Sequence, residues 1–230
     1  MDRFEFPVKL IRTSRMKSAS IHVDGEGVTV RVPEWISDSS VEDLVTRKSL
    51  WIKRKLRDAN LVTPYRSREY VSGESFSYFG KNYRLKVLEG DISSVKIQGE
   101  FIEAVVPDFI VSKEELVRSL LIEWYQKQAR QRLKEKTHRY AKIIQVEPRS
   151  VSVKDYKSRW GSCSVNGDIS YNWRIVIAPH SIVDYVVVHE LCHIREHNHS
   201  PEYWKHVGRV ILDFKERRQW LRQNSKHLNI

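Results

Sequence analysis

Two cysteines, Cys163 and Cys192, are all that 230 residues contain. They are too few for a disulfide framework and show no C-x-x-C spacing, so a small secreted scaffold is excluded and a reducing cytosol fits. No apolar run approaches the ~20 residues that cross a bilayer. The opening stretch MDRFEFPVKL also lacks the apolar core of a secretory signal. The expectation is a soluble, cytoplasmic protein with no membrane partner. Internal repeats, low-complexity tracts and Pro/Gly-rich linkers are missing as well. A domain boundary must therefore be read from a change in hydrophobic pattern alone.

What the chain has in excess is positive charge, with a net +11 and a pI near 9.6. Such a balance suits an acidic partner such as a nucleic acid, a nucleotide or an acidic peptide. The cations are spread over 48–57, 127–142 and 215–226, however, and no nucleic-acid motif interrupts them. Solvation of long helices accounts for them more simply.

Apolar β-branched runs at Val8 to Ile11, Ile21 to Val23 and Val28 to Val32, with Gly25 and Gly27 between the last two, predict a small antiparallel sheet. Ser39 and Glu42 form a capping box ahead of helical spacing up to about Arg57. Strand patterns return at 76–79, 83–88, 95–97 and 101–106, with aromatic residues suited to a sheet core. Ser112 and Glu115 then open a long amphipathic helix toward Tyr140. The change from strands to helices predicts a β-rich N-terminal domain with one helix over 1–110 and a catalytic domain over 111–230. Within the latter, Val151 to Tyr156 reads as a strand, Asn166-Gly167 as a hairpin turn, and Ile169 to Ile177 as an alternating strand with one core face and one polar face.

Ile182, Val183, Val186 and Val187 lead into His189-Glu190-Leu191-Cys192-His193. Histidines four apart share one helical face, at about 5–6 Å between Cβ atoms, and can offer two imidazoles to one metal ion. Glu190 projects to the side, placed to take a proton from a metal-bound water rather than to ligate. A third histidine must close the site. His197 is eight residues from His189, roughly 12 Å along a straight helix. His199 is better placed, because Asn198 tolerates a left-handed turn, and Ser200-Pro201 supplies an N-cap and first-turn proline for a new helix. The expected centre is one Zn2+ held by His189, His193 and His199, with Glu190 as general base. His206 is read as a surface or core histidine, since a catalytic zinc keeps its fourth position for water.

Three segments stand in order: Arg159-Trp160-Gly161-Ser162-Cys163-Ser164, then Tyr171-Asn172-Trp173-Arg174, then the stretch from Asp184 through His193 to Asn198-His199-Ser200. Together they closely resemble the YgjP-like family of metal-dependent hydrolases, which belongs with the SprT-like and other small zincin domains. The resemblance implies an α+β fold, with a zincin-like catalytic domain whose HExxH helix packs on a small sheet. It also implies one zinc ion and metallopeptidase-like chemistry. A nucleotide pyrophosphatase activity on UTP is associated with the same family, so a second enzyme class stays open. Glu196 stands where the extended metzincin pattern needs glycine, which argues against that group.

The residues allow a mechanism to be written. Three neutral imidazoles lower the pKa of a zinc-bound water toward about 7, and Glu190 relays its proton to the leaving group. A peptide substrate could pair with an exposed edge of the strand at Ile169 to Ile177. Arg159, Arg174 and Tyr203 are candidates for substrate or oxyanion contacts. Asp184 either orients a histidine or serves the helix dipole. Cys163 reads as a small packed residue rather than a nucleophile. A non-catalytic zinc-stabilised module for nucleic acid or protein binding is the third reading, and the presence of Glu190 speaks against it, because a purely structural site needs no base.

Overall fold

Alternate valines turn inward to start the fold. In the computed structural model, which describes residues 4–14, 18–24, 27–60 and 68–230, Val28, Val30 and Val32 of β3 (Gly27–Pro33) are buried against Phe6. β3 pairs antiparallel with β2 (Ser20–Asp24) and parallel with β1 (Val8–Thr13), giving the order β1-β3-β2. The sheet is thus mixed rather than antiparallel. β2 follows β1 in the chain and takes one edge of β3, leaving β1 the other edge and the parallel direction. The turn expected at Gly25 lies outside the described residues. Ser37, not Ser39, caps α1 (Asp38–Arg47), its hydroxyl accepting from the Ser40 N–H. Lys48 then separates α1 from α2 (Ser49–Asn60). Val41, Val45 and Ile52 complete this core.

The chain divides into compact units between Ser67 and Arg68, so the boundary expected near residue 110 falls inside the second unit. The reason is visible in its bonds. β4 (Ser75–Tyr78), β5 (Lys81–Glu89), β6 (Ser94–Gln98) and β7 (Phe101–Val106) form a sheet of order β4-β5-β7-β6, with β5 and β7 parallel. Its first turn docks on the catalytic half. Phe79 and Gly80 donate backbone bonds to Val176 and Ile177 carbonyls at 2.7 and 3.3 Å. A Cβ on Gly80 would come within 2.8 Å of the Pro179 backbone, and its φ of +78° also suits glycine. Tyr125, fully buried on the long helix α3 (Lys113–Ile144), donates to the Ser77 carbonyl at 2.8 Å.

α3 packs along a second sheet, of order β8-β10-β9, in which β8 (Ser150–Lys154) is parallel and β9 (Gly161–Cys163) antiparallel to the central β10 (Asp168–Asn172). The alternating strand expected to reach Ile177 ends at Asn172. There the side chain accepts from the Arg174 N–H at 3.1 Å and caps a 3-10 helix, Trp173–Ile177. Both edges of β10 are occupied, and Ile169 to Asn172 are buried on both faces, so neither an exposed edge nor a polar face remains for substrate.

α4 (His180–Cys192) follows, with α5 (Pro201–Val210) and α6 (Phe214–Asn224) beside it. Ile182, Val183, Tyr185, Val186, Val187, Val188 and Leu191 are all buried. Beyond its exposed first residues, His180 and Ser181, α4 is thus covered around most of its circumference, not along one stripe. Each such side chain stabilises the packed state by about 1.5–3 kcal/mol relative to exposure. Asp184 ties α4 to α3 through Lys136 at 2.6 Å and Arg139 at 3.3 Å. Among the described residues, no helix is long and apolar enough to cross a membrane.

Candidate metal centre

The last turn of α4 delivers His189 and Glu190, and the chain leaves the helix at once. His193 is its C-cap, and i to i+3 bonds, Ile194 N–H to Leu191 and Arg195 N–H to Cys192, both 3.1 Å, tighten the exit. The turn is therefore made at residues 193–195, not by a left-handed Asn198. The described non-glycine residues with positive φ are Tyr70, Phe79 and Gln145. Ser200 then accepts from the Tyr203 N–H at 3.1 Å, and Pro201 opens α5, as its sequence predicts.

This path brings His189, His193 and His199 together, with one ring nitrogen from each inside a 4.8 Å radius of the others. His189 Nε2 and His199 Nε2 lie 3.2 Å apart. His197 is exposed and His206 half-buried, and neither joins the cluster. His193 Nδ1 donates to the Glu196 carbonyl at 3.0 Å, which puts its proton on that nitrogen and leaves Nε2 a free lone pair. Burial, with the neighbouring imidazoles, pushes the His189 pKa down to about 3. Burial also holds those of His193 and His199 below the ordinary histidine value, with help from nearby positive groups including Arg218 beside His199. Three neutral imidazoles with converging lone pairs fit a divalent metal ion. His189 Nδ1 is buried without a protein partner, a departure from the usual anchored ligand.

Aromatic rings set the positions of these imidazoles. Tyr203 stacks on His193 at 4.5 Å between centroids, and Trp204 stacks on His199 at 5.6 Å and on Phe214 at 5.3 Å. The Tyr203 hydroxyl donates to the His189 carbonyl at 2.9 Å. Tyr203 is fully buried, and burial raises its pKa far above the ordinary tyrosine range, so the hydroxyl keeps its proton and holds the His189 carbonyl.

Glu190 is 5% exposed. Burial pushes its pKa up to about 8 against the pull of Arg159. The residue that makes room for it is Gly161, on which a Cβ would sit 2.5 Å from Glu190 Oε1. Sequence reasoning assigned Gly161 no role, although the glycine next to Trp160 in the first of the three segments was its signal.

The other candidates disperse. Arg174 is paired with Asp155 and lies over Trp173. Asp184 contacts α3 and no site histidine. The Cys163 thiol is half-buried and pushed up to about 11 by burial and the charges of Glu190 and Asp168, which makes it inert as a nucleophile. Arg159 is not in an ion pair among the described residues and stays electrostatically coupled to Glu190.

Three convergent imidazoles beside a buried carboxyl are the arrangement of a metal-dependent hydrolase. The model of one family, the YgjP-like metallopeptidase domain, matches residues 17–224, and the chain belongs to that family. Family membership accounts for a metal-dependent hydrolase with a catalytic metal. No curated protein matches the chain. A solved structure similar to it, the metallopeptidase zymogen abylysin of Pyrococcus abyssi, is 20% identical with a TM-score of 0.37, over 41% of this chain and 93% of the other.

Two outcomes follow from Glu190. Gly161→Ala is expected to cost about 1–3 kcal/mol in denaturant unfolding. That penalty should largely vanish in a Glu190→Ala background, because the two residues collide with each other and not with third parties. In metal-free protein, the folded state binds a proton at Glu190 across a window where the unfolded chain has released it. Stability from this group is whole below the ordinary value of 4.5 and lost as pH rises through about 8. Wild type should therefore lose a few kcal/mol relative to Glu190→Gln between those limits in metal-free urea titrations. A pH-independent difference would contradict the burial argument.

Proposed function

We propose that the chain is a zinc-dependent, metallopeptidase-like hydrolase in which His189, His193 and His199 hold one Zn2+ and Glu190 is the general base. The observation that carries this reading is the convergence of three neutral imidazoles beside a buried carboxyl, which a glycine backbone admits at contact distance. Bound zinc supplies Lewis-acid polarisation and acidifies a water toward a pKa of about 7. The chain's own residues do the rest. Glu190 takes a proton at its carboxylate and returns it to the leaving nitrogen. The Glu196 carbonyl keeps the His193 proton on Nδ1. The close approach of β9 to Glu190 limits water around the carboxyl.

A peptide substrate has a strand edge available, though not the one expected from sequence. β10 is filled on both sides, whereas β9 pairs through one edge only. Ser164 N–H and the Trp160 carbonyl point toward β10. Alternation in an antiparallel ladder therefore turns the backbone groups of Gly161 and Cys163 outward, where an added strand could bond to them.

Zinc-loaded wild type should cleave unfolded protein or peptide substrates, and Glu190→Gln should lower turnover by roughly 10²–10⁴-fold while still holding one zinc by elemental analysis. Wild-type turnover by that variant would remove Glu190 as base. UTP belongs in the same screen, and pyrophosphate release without proteolysis would favour a nucleotide pyrophosphatase instead. His199→Ala should lose zinc to a chelator far more readily than His197→Ala, and equal retention would sink the ligand assignment.

A further inference from the structure

The loop leading into β9 and the C-terminal segment line an open cavity of about 750 Å3. Its charge is one-sided. Lys157, Arg159, Arg174 and Lys226 line it, against the single carboxylate of Asp155, and that carboxylate is committed to Arg174. Lys157, Arg159 and Lys226 are not in ion pairs among the described residues. Cations gathered in a concavity repel one another and draw an anion from solvent.

The loop is held from beneath. Asn172, 4% exposed on β10, donates through Nδ2 to the carbonyls of Tyr156 and Arg159 at 2.8 and 3.2 Å. The Arg159 guanidinium lies over the Tyr156 ring at 5.6 Å. A guanidinium positioned in this way offers its donor fork with less entropy to lose than a free side chain. The cavity also borders the candidate centre, because Arg159 and Trp160 line it and the next residue, Gly161, abuts Glu190.

Direction follows from strand chemistry. A peptide added antiparallel to β9 runs opposite to it, so its C-terminal part lies beside the start of β9, at Trp160 and Arg159. We propose that this cavity is a subsite for a carboxylate on the C-terminal side of the scissile bond. The carboxylate is either the side chain of an acidic residue or the end of the substrate chain. Arg159 takes it through paired N–H donors, with Lys157 and Lys226 adding charge. This specificity rests on the peptidase reading above, and it gives part of the chain's excess of positive charge a definite use.

The test uses one N-acetylated hexapeptide sequence in four forms, with Glu or Gln at the fifth position and a free or amidated C terminus. Binding is measured by calorimetry on the zinc-loaded Glu190→Gln protein, and again with Arg159→Gln or Lys226→Gln added. The neutral amidated form should bind at least about tenfold more weakly than the better carboxylate form. That gap should shrink in both added variants, of which Lys226→Gln changes only an exposed side chain. The two single-carboxylate forms show which source the cavity takes. Equal binding of all four forms overturns the proposal, as does a preference that survives both substitutions. Cleavage by wild type with no carboxylate preference removes the subsite and leaves the peptidase reading standing. Carboxylate-dependent binding without any cleavage keeps the subsite and removes the peptidase reading. UTP bound through Arg159 and Lys226, with no peptide bound, overturns the proposal in favour of a phosphate site.

Discussion

A carboxyl group and three imidazoles at the end of one helix cannot all be charged, and the second unit is built around that constraint. The protein answers by favouring the neutral form of every imidazole, the form that can donate a lone pair. Burial does most of this, and the imidazoles reinforce it on one another. The groups that face the cluster carry no compensating acid. They are aromatic rings, a backbone carbonyl and, beside His199, the Arg218 cation. An ion of charge +2 is the counterpart that such a set of lone pairs lacks, which is why the arrangement reads as a site and not as a cluster of packed histidines.

The scaffold has to hold these groups against their unfavourable burial, and α4 does so by being buried along most of its length. A surface helix could tilt to relieve crowding at its end. α4 is enclosed by α3, α5, α6 and β9, and its buried apolar side chains work against the local electrostatic cost. The same logic explains Gly161. Any side chain there would push β9 off the carboxyl and let water in.

How much was legible depended on whether the signal was periodic. The i, i+4 histidines and the intervening glutamate follow from helical spacing, and Ser200-Pro201 marked the start of α5 two residues before its turn closes. The exit from α4 was misplaced to Asn198, because the i to i+3 bonds at 193–195 are made by backbone and leave no residue signature. The run from Ile169 to Ile177 kept a two-residue apolar rhythm through Trp173, Ile175 and Ile177. In a fully buried segment that rhythm does not distinguish strand from 3-10 helix, and the capping side chain of Asn172 was the better clue. Parallel pairing of β1 with β3 and of β5 with β7 is a matter of connection order, which hydrophobic pattern cannot encode. The division into compact units lies at Ser67 and Arg68 and not near residue 110 for a related reason. A strand-rich stretch resembles a separate domain in sequence even when its turn is bonded to the neighbouring helix.

The contact between Gly80 and Pro179 has a bearing on motion. Pro179 immediately precedes α4, and the sheet turn that presses on it is itself bonded to the residues just before. At the other end the Tyr203 hydroxyl grips the His189 carbonyl. A rod fixed at both ends can neither slide nor rotate to suit what binds beside it. The imidazoles at its end are therefore presented on a fixed support, and α4 is the stationary part of the second unit.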